Sequence, residues 1–295
     1  MEIKDLFLQL NIDLKNKLNR VKSKDLRNIL KDFGEFIKID GMDPTFFSDK
    51  KLGVCDGSIN SVGGNLPNKL FLLSALYLNG LQDDGFSLNK VITPLLDINV
   101  SETKELSKLE VLCATNAIQK YDSDIVFMDG GFIRFIADCE NEFNELLDIV
   151  NKKNILFMGV IEDIKSTTIS NLIDENLYDR EIVFSLLEEG EAYVLNTELN
   201  NKSKSGILSA FFRPGKNPQP IGVDIPIFLK HNLNTCLSCL RTLTSSNSRG
   251  VPLVLDIVDK KVRVTDRDIE YYIKSYVDED IRRIFLDEVR KGRFL

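Results

Sequence analysis

Short apolar runs alternate along this chain with segments of helical periodicity, and two of the runs close on the same dipeptide, Asp–Gly. They are Val54-Cys55-Asp56-Gly57-Ser58 and Asp124-Ile-Val-Phe-Met-Asp129-Gly130-Gly131. A short apolar run bounded by turn signals fits a buried strand, and such strands alternating with amphipathic helices specify an α/β chain. Residues 69–80, 155–161, 192–195, 207–212 and 221–228 read as further strands. Several of them are consecutive, so the central sheet is expected to be mixed, with helices flanking it. Ile3, Leu6, Leu10, Leu14 and Leu18 recur at helical steps, which predicts a helical lead-in over residues 2–37. Ser101, with Glu102 and Glu105 behind it, opens an N-capped amphipathic helix over 101–120. Residues 138–151, 170–189 and 229–243 also read as helices, and helical segments follow the polar connector at 244–250 to the end. The break at Gly41-Met-Asp-Pro44 separates a helical N-terminal segment, 1–45, from a main domain, 46–295.

Composition narrows the chemistry. Of 295 residues, 43% are hydrophobic and 28% charged, enough for a sizeable core. No apolar stretch is long enough to span a bilayer, and Met1–Asp5 lacks the basic and apolar pattern of an export signal. A cytoplasmic protein with no membrane role is therefore expected. The five cysteines are odd in number and lack framework spacing, so they read as reduced thiols. Cys236 and Cys239 with His231 give at most three zinc ligands, one short of a closed site, and buried helix cysteines are the simpler reading. His231 is the only histidine, which removes most mechanisms built on histidine bases or ligands. The net charge of −7 excludes a surface that grips DNA throughout, so any nucleic-acid role must use a local patch or a partner. Carboxylate is plentiful, and that points to hard-metal chemistry.

In an open α/β sheet functional groups gather at strand ends. A carboxylate there can face a cleft, and the glycine after it permits close approach. Asp56 and Asp129 on neighbouring strands would share one divalent ion or a pair of them; each alone also fits an ordinary Asp–Gly turn. Glu110, beside the apolar face of the 101–120 helix, is the third candidate, with a snorkelling surface residue as its plain alternative. Lys165, after the strand at 155–161, and Arg134, after the Gly–Gly turn, are candidate phosphate contacts. Arg213 and Lys216 would form a local DNA contact or simply solubilise their loop.

Taken in order, Val54-Cys-Asp-Gly-Ser58, Leu109-Glu110, Phe127-Met-Asp-Gly-Gly131 and Gly159-Val-Ile-Glu-Asp-Ile-Lys165 resemble the pattern of NurA nucleases. Gly250-Val251-Pro252-Leu253 with Val258-Asp259 is similar to the C-terminal segment of that family. The resemblance implies an RNase H-like core, a homodimer, and manganese-dependent (or magnesium-dependent) cleavage of DNA. It also implies DNA-end processing or defence with a HerA-like hexameric ATPase as partner. Its metal ligands would be Asp56, Glu110 and Asp129. The chain departs from the family at Val251, in place of Tyr, and at Asp259, in place of His. Asp259 keeps a potential ligand but offers an anionic oxygen instead of a neutral nitrogen, and Lys165 would steady charge on the phosphate. Two alternatives stand beside the nuclease. One is a catalytically weakened subunit that docks on the ATPase. The other is an Asp-nucleophile phosphotransferase, which lacks a second Asp two residues after Asp56. No GxxxxGK[ST] is present, so ATP hydrolysis by the chain itself is not expected.

Overall fold

The structure, a computed structural model, describes residues 2–286 apart from 23, 81–83, 185, 199 and 200. Helices α1 (Ile3–Lys22) and α2 (Leu26–Leu30) lead into strand β1 (Gly34–Lys38). Strands β2 (Leu52–Gly63), β3 (Lys69–Asn79) and β4 (Gly85–Ile92) form a meander. Helix α3 (Glu102–Tyr121), strand β5 (Ile125–Asp129), helix α4 (Phe132–Lys153) and strand β6 (Leu156–Ile161) then alternate. Short helices α5 (Thr168–Leu172) and α6 (Asp179–Val183) precede β7 (Glu191–Leu195), α7 (Asn201–Lys204), β8 (Ile207–Arg213) and β9 (Ile221–Pro226). Helices α8 (Leu233–Leu243), α9 (Leu253–Val262), α10 (Asp266–Tyr276) and α11 (Glu279–Ile281) follow.

Among the described residues, nine strands form one mixed sheet in the order β1-β7-β8-β9-β6-β5-β2-β3-β4. The β2–β3–β4 meander is antiparallel, and β5 and β6 run parallel to β2. Each parallel strand is reached through a helix, as parallel pairing requires. The order β4-β3-β2-β5-β6 is that of an RNase H-like core. The central strand β5, Ile125-Val-Phe-Met-Asp129, is apolar on both faces because both are covered: its first four residues are fully buried. Cys55 and Ser58 show the two covers. The Cys55 thiol donates to the Glu110 carbonyl on α3, whereas the Ser58 hydroxyl accepts from the Val264 N–H between α9 and α10. Residues three apart on a strand point to opposite faces, so α3 and the α9–α10 junction lie on opposite sides of β2.

The helix at 101–120 forms as its cap predicts, with Ser101 Oγ accepting from the Lys104 N–H. The 138–151 helix is the C-terminal part of α4, whose buried stripe is Phe132, Phe135, Phe143, Leu146 and Val150. The five cysteines are free and buried, and Cys236 and Cys239 pack within α8 as the simpler reading held. Among the described residues no helix is long and apolar enough to cross a membrane.

Several elements differ from expectation. Gly34–Lys38, read as part of the helical segment 1–45, is an edge strand paired antiparallel with β7. The apolar run at 52–58 does not turn at Asp56–Gly57: β2 continues to Gly63, and Gly57 pairs with Ala75 of β3. Residues 170–189, read as one helix, hold the end of α5 and all of α6, because Ile173–Tyr178 breaks the helical run. Strand β4 carries no strand signal in the sequence, since its apolar residues are interrupted by Ser87, Asn89 and Lys90. The expected helical end is seen as far as Leu286; residues 287–295 lie outside the described residues.

Asp224 on β9 is fully buried and ties the two halves of the sheet to α4. It accepts from the Phe132 N–H at the first turn of α4 (3.0 Å), from the Ser209 hydroxyl (2.6 Å) and from Lys202 Nζ (2.8 Å). Removing one partner of a buried pair strands the other. Asp224→Ala is therefore expected to cost about 3–5 kcal/mol in urea unfolding; a loss below about 1 kcal/mol would show that the pair is not holding the strand to the helix.

Candidate metal centre

Strands β2 and β5 run parallel with Cys55 opposite Met128, so the next residues, Asp56 and Asp129, stand side by side. Asp56 is in mid-strand and 5% exposed; Asp129 ends β5 and is half-buried. The chain leaves β5 through Gly130, whose φ of +95° favours glycine, and enters α4 at Phe132. Burial pushes the Asp56 carboxyl up to about 7, and the charges of Asp129 and Asp259 add to that. Asp129 is raised for the same reason, against the pull of Arg134 and Arg249.

Glu110 comes from α3, on the face of β2 that Cys55 and Gly57 share, and the charges of Asp56 and Asp129 act on it. It is 1% exposed, far from the surface residue of its plain alternative. Gly57 makes room for it: a Cβ at that position would lie 2.3 Å from Glu110 Oε1. The glycine after Asp56 is thus a close-approach glycine rather than a turn glycine. Burial, with Asp56 and Asp129 adding to it, pushes the Glu110 carboxyl up to about 8 despite the Arg134 cation. Arg134 Nη1 donates to Glu110 Oε1 at 3.3 Å, its Nη2 bonds Glu110 Oε2, and the same Nη2 donates to the Asp129 carbonyl at 2.7 Å. Arg134, read in the sequence as a candidate phosphate contact, links the Glu110 carboxylate to the backbone of Asp129.

Asp259 is exposed on α9, which packs on the Asp56 side of β2, and its charge reaches both aspartates. Lys165 does not join them. It is exposed and lines a small cavity of about 170 Å³ with Lys202 and Asp224. Arg213 donates to the carbonyls of Leu187, Lys216 and Asn217, which ties its guanidinium to the loop that follows it. Val251 is 1% exposed in the core, so no hydroxyl enters the site at that position.

Two residues went unread in the sequence. Glu162, just past β6, carries a carboxyl raised by burial and by Asp129. Arg249 bonds Glu162 and donates through Nε to Asp256 Oδ1 at 2.8 Å. The only signal was the place of Glu162 one residue past a strand that neighbours β5.

The donor set suits a hard cation: every candidate ligand is a carboxylate oxygen, and the acids raise one another's proton affinity in the way a cation would relieve. As the side chains stand, no three among the described residues gather closely enough to ligate one ion, and Arg134 holds the charge of Glu110.

The fold has solved counterparts. The NurA nuclease from Sulfolobus solfataricus superposes with a TM-score of 0.65 at 14% identity, over 96% of this chain and 98% of that one. A NurA bound to dAMP and manganese gives 0.62 at 10% identity, over 95% and 99%. A NurA with manganese gives 0.56 at 12% identity, over 93% and 99%. At such identities the likeness is one of fold. No curated protein matches the sequence. The NurA domain profile matches residues 51–264, which takes in all four acids and most of the chain, and the protein therefore belongs to the NurA family.

Proposed function

We propose that this chain is a divalent-metal-dependent deoxyribonuclease that hydrolyses phosphodiester bonds at Asp56, Glu110, Asp129 and Asp259. One observation carries the reading: adjacent parallel strands deliver Asp56 and Asp129 side by side, both with raised carboxyls, in a chain of the NurA family. NurA structures have been solved with manganese and with dAMP, and Mn²⁺ or Mg²⁺ is the cofactor proposed here. Bound at these carboxylates, the ion would acidify a water and screen charge on the phosphate. The four acids would hold it, and no histidine base is needed. Gly57 and Arg134 position Glu110, while Arg134 and Arg249 balance the negative charge of the acids. Lys165, exposed just past β6, is proposed as a phosphate contact. Purified protein should degrade labelled linear DNA with Mn²⁺ or Mg²⁺ and not with EDTA; degradation in EDTA, or none with either metal and the partner present, refutes the reading.

The setting proposed for this activity is DNA-end processing or defence, with the chain as a homodimer beside a HerA-type ATPase. Helix α1 supports a docking role, and with it the alternative of a weakened subunit that mainly docks. Ile3, Phe7, Leu10 and Leu14 are each more than half exposed on it, and Val21 is its one buried residue among those described. Such an apolar stripe is costly in water unless a partner covers it. Double substitution of Leu10 and Leu14 by Glu is expected to lower the sedimenting mass or abolish ATPase binding while leaving the circular dichroism of the sheet unchanged.

Charge sets a further expectation. With a net −7, the isolated chain should bind DNA weakly, and its affinity should fall with salt as a few phosphate contacts are screened. Titration from 50 to 200 mM KCl checks this. Tight binding that ignores salt would contradict it.

A further inference from the structure

An apolar groove of about 580 Å³ runs between α10 and the outer part of the meander. We propose that it is a stacking site for bases of a single DNA strand leading to the acids. This rests on the nuclease reading for the reason a strand passes there.

The groove shares a sheet face with Asp56. Asp56 pairs with Leu76, so Leu76, Ser74 and Leu72 of β3 face the same way, and Val91 of β4 pairs with Leu72. Leu72 and Val91 form its floor. It begins at Arg263 and Val264, the junction of α9 and α10. There the Val264 N–H is held by Ser58, two residues from Asp56 on that face, and Arg263 lies one helical turn past Asp259. From Leu76 to Leu72 is about 14 Å along the strand, so the groove lies on the same sheet face as Asp56, within a few nucleotides' reach of it.

Its wall suits bases. Tyr272 and Tyr276 are 53% and 75% exposed, and their rings stack with centroids 6.2 Å apart at 26°. Successive bases stack on such rings whatever their sequence, while cations track the backbone. Arg263 is exposed at the entrance and is held in no ion pair among the described residues. The acid nearest it in the wall, Asp268, is turned into its own helix cap, accepting from the Thr265 hydroxyl (2.6 Å) and N–H (3.0 Å). A docked protein would use the same apolar floor, but it would leave the exposed tyrosine rings and the Arg263 guanidinium, unpaired among the described residues, without a role.

The full chain contains no Trp, so Tyr272→Trp places a single reporter in the wall. In EDTA, where nothing is cut, an oligothymidine should quench its emission, and an abasic oligonucleotide with the same number of phosphates should not. Tyr276→Ala should raise the Kd for oligothymidine roughly ten-fold, and Tyr276→Phe should restore it. Equal quenching by both oligonucleotides, or an unchanged Kd in Tyr276→Ala, overturns the proposal. So does an emission change on concentrating the protein alone, with a dimer that Tyr276→Ala dissolves, which would assign the groove to a second copy. Base-dependent quenching without any metal-dependent cleavage would keep the groove and defeat the nuclease reading. Cleavage without base-dependent quenching would do the reverse.

Discussion

Asp56→Asn is expected to reduce metal-dependent cleavage by a factor on the order of a thousand and, in the same molecule, to stabilise the metal-free fold above pH 7. The second effect follows from where the carboxylate sits. It is 5% exposed between Asp129 and Asp259, and its proton affinity is pushed up to about 7. A carboxyl raised on folding keeps its proton in the native state over a range in which the unfolded chain has lost it. Stability due to that group is therefore present below about pH 4 and declines as pH rises towards 7. The span from 3.8 to about 7 bounds the loss at about 4 kcal/mol. Asn carries no charge, so urea unfolding in EDTA should show the wild type losing stability between pH 5 and 8 and the variant losing less. Glu110, raised to about 8, extends the wild-type decline to higher pH. If the two proteins keep parallel pH profiles, Asp56 does not lie in a strained cluster of acids.

Gly57→Ala should be nearly as damaging, although it removes no functional group. The new methyl would stand 2.3 Å from Glu110 Oε1 and 2.7 Å from its Cγ, well inside van der Waals contact. Glu110 cannot retreat freely, because Arg134 grips both its oxygens and also the Asp129 carbonyl. The variant must distort β2 or break that link, at a cost of about 1–3 kcal/mol for overpacking, and cleavage should fall with it. Pairing Gly57→Ala with Glu110→Ala tests the cause. The methyl then has space, so the stability cost of the glycine change should largely vanish. Additive costs in the double variant would place the damage in the β2 backbone instead.

The aspartates were legible in the sequence because each ends an apolar stretch, and such stretches are buried whatever their exact partners. Asp56 nonetheless does not end its strand as the sequence predicts. A turn and a strand that continues past a glycine look alike over five residues, and only the pairing of Gly57 with Ala75 distinguishes them. Glu110 was ambiguous since helical periodicity places a residue beside the apolar face without saying what covers it; here β2 does, through a missing Cβ. Arg134 invited a phosphate role because it follows a Gly–Gly turn, yet its partner lies 24 residues earlier, and no local pattern records such a contact. The same limit hid Glu162 and Arg249, whose bond spans 87 residues. The order of the core strands was accessible through family resemblance. The edge strands β1 and β4 were not, because strands with one solvated face mix polar and apolar residues that helices and loops also carry.

The most direct test of the central claim is the binding of Mn²⁺ to the isolated chain, read from the electron paramagnetic resonance signal of the free ion at pH 8. The account predicts saturable binding by the wild type and its loss in the Asp56→Asn, Asp129→Asn double variant, with the fold of that variant intact by circular dichroism. Unchanged Mn²⁺ binding in a folded double variant would contradict it.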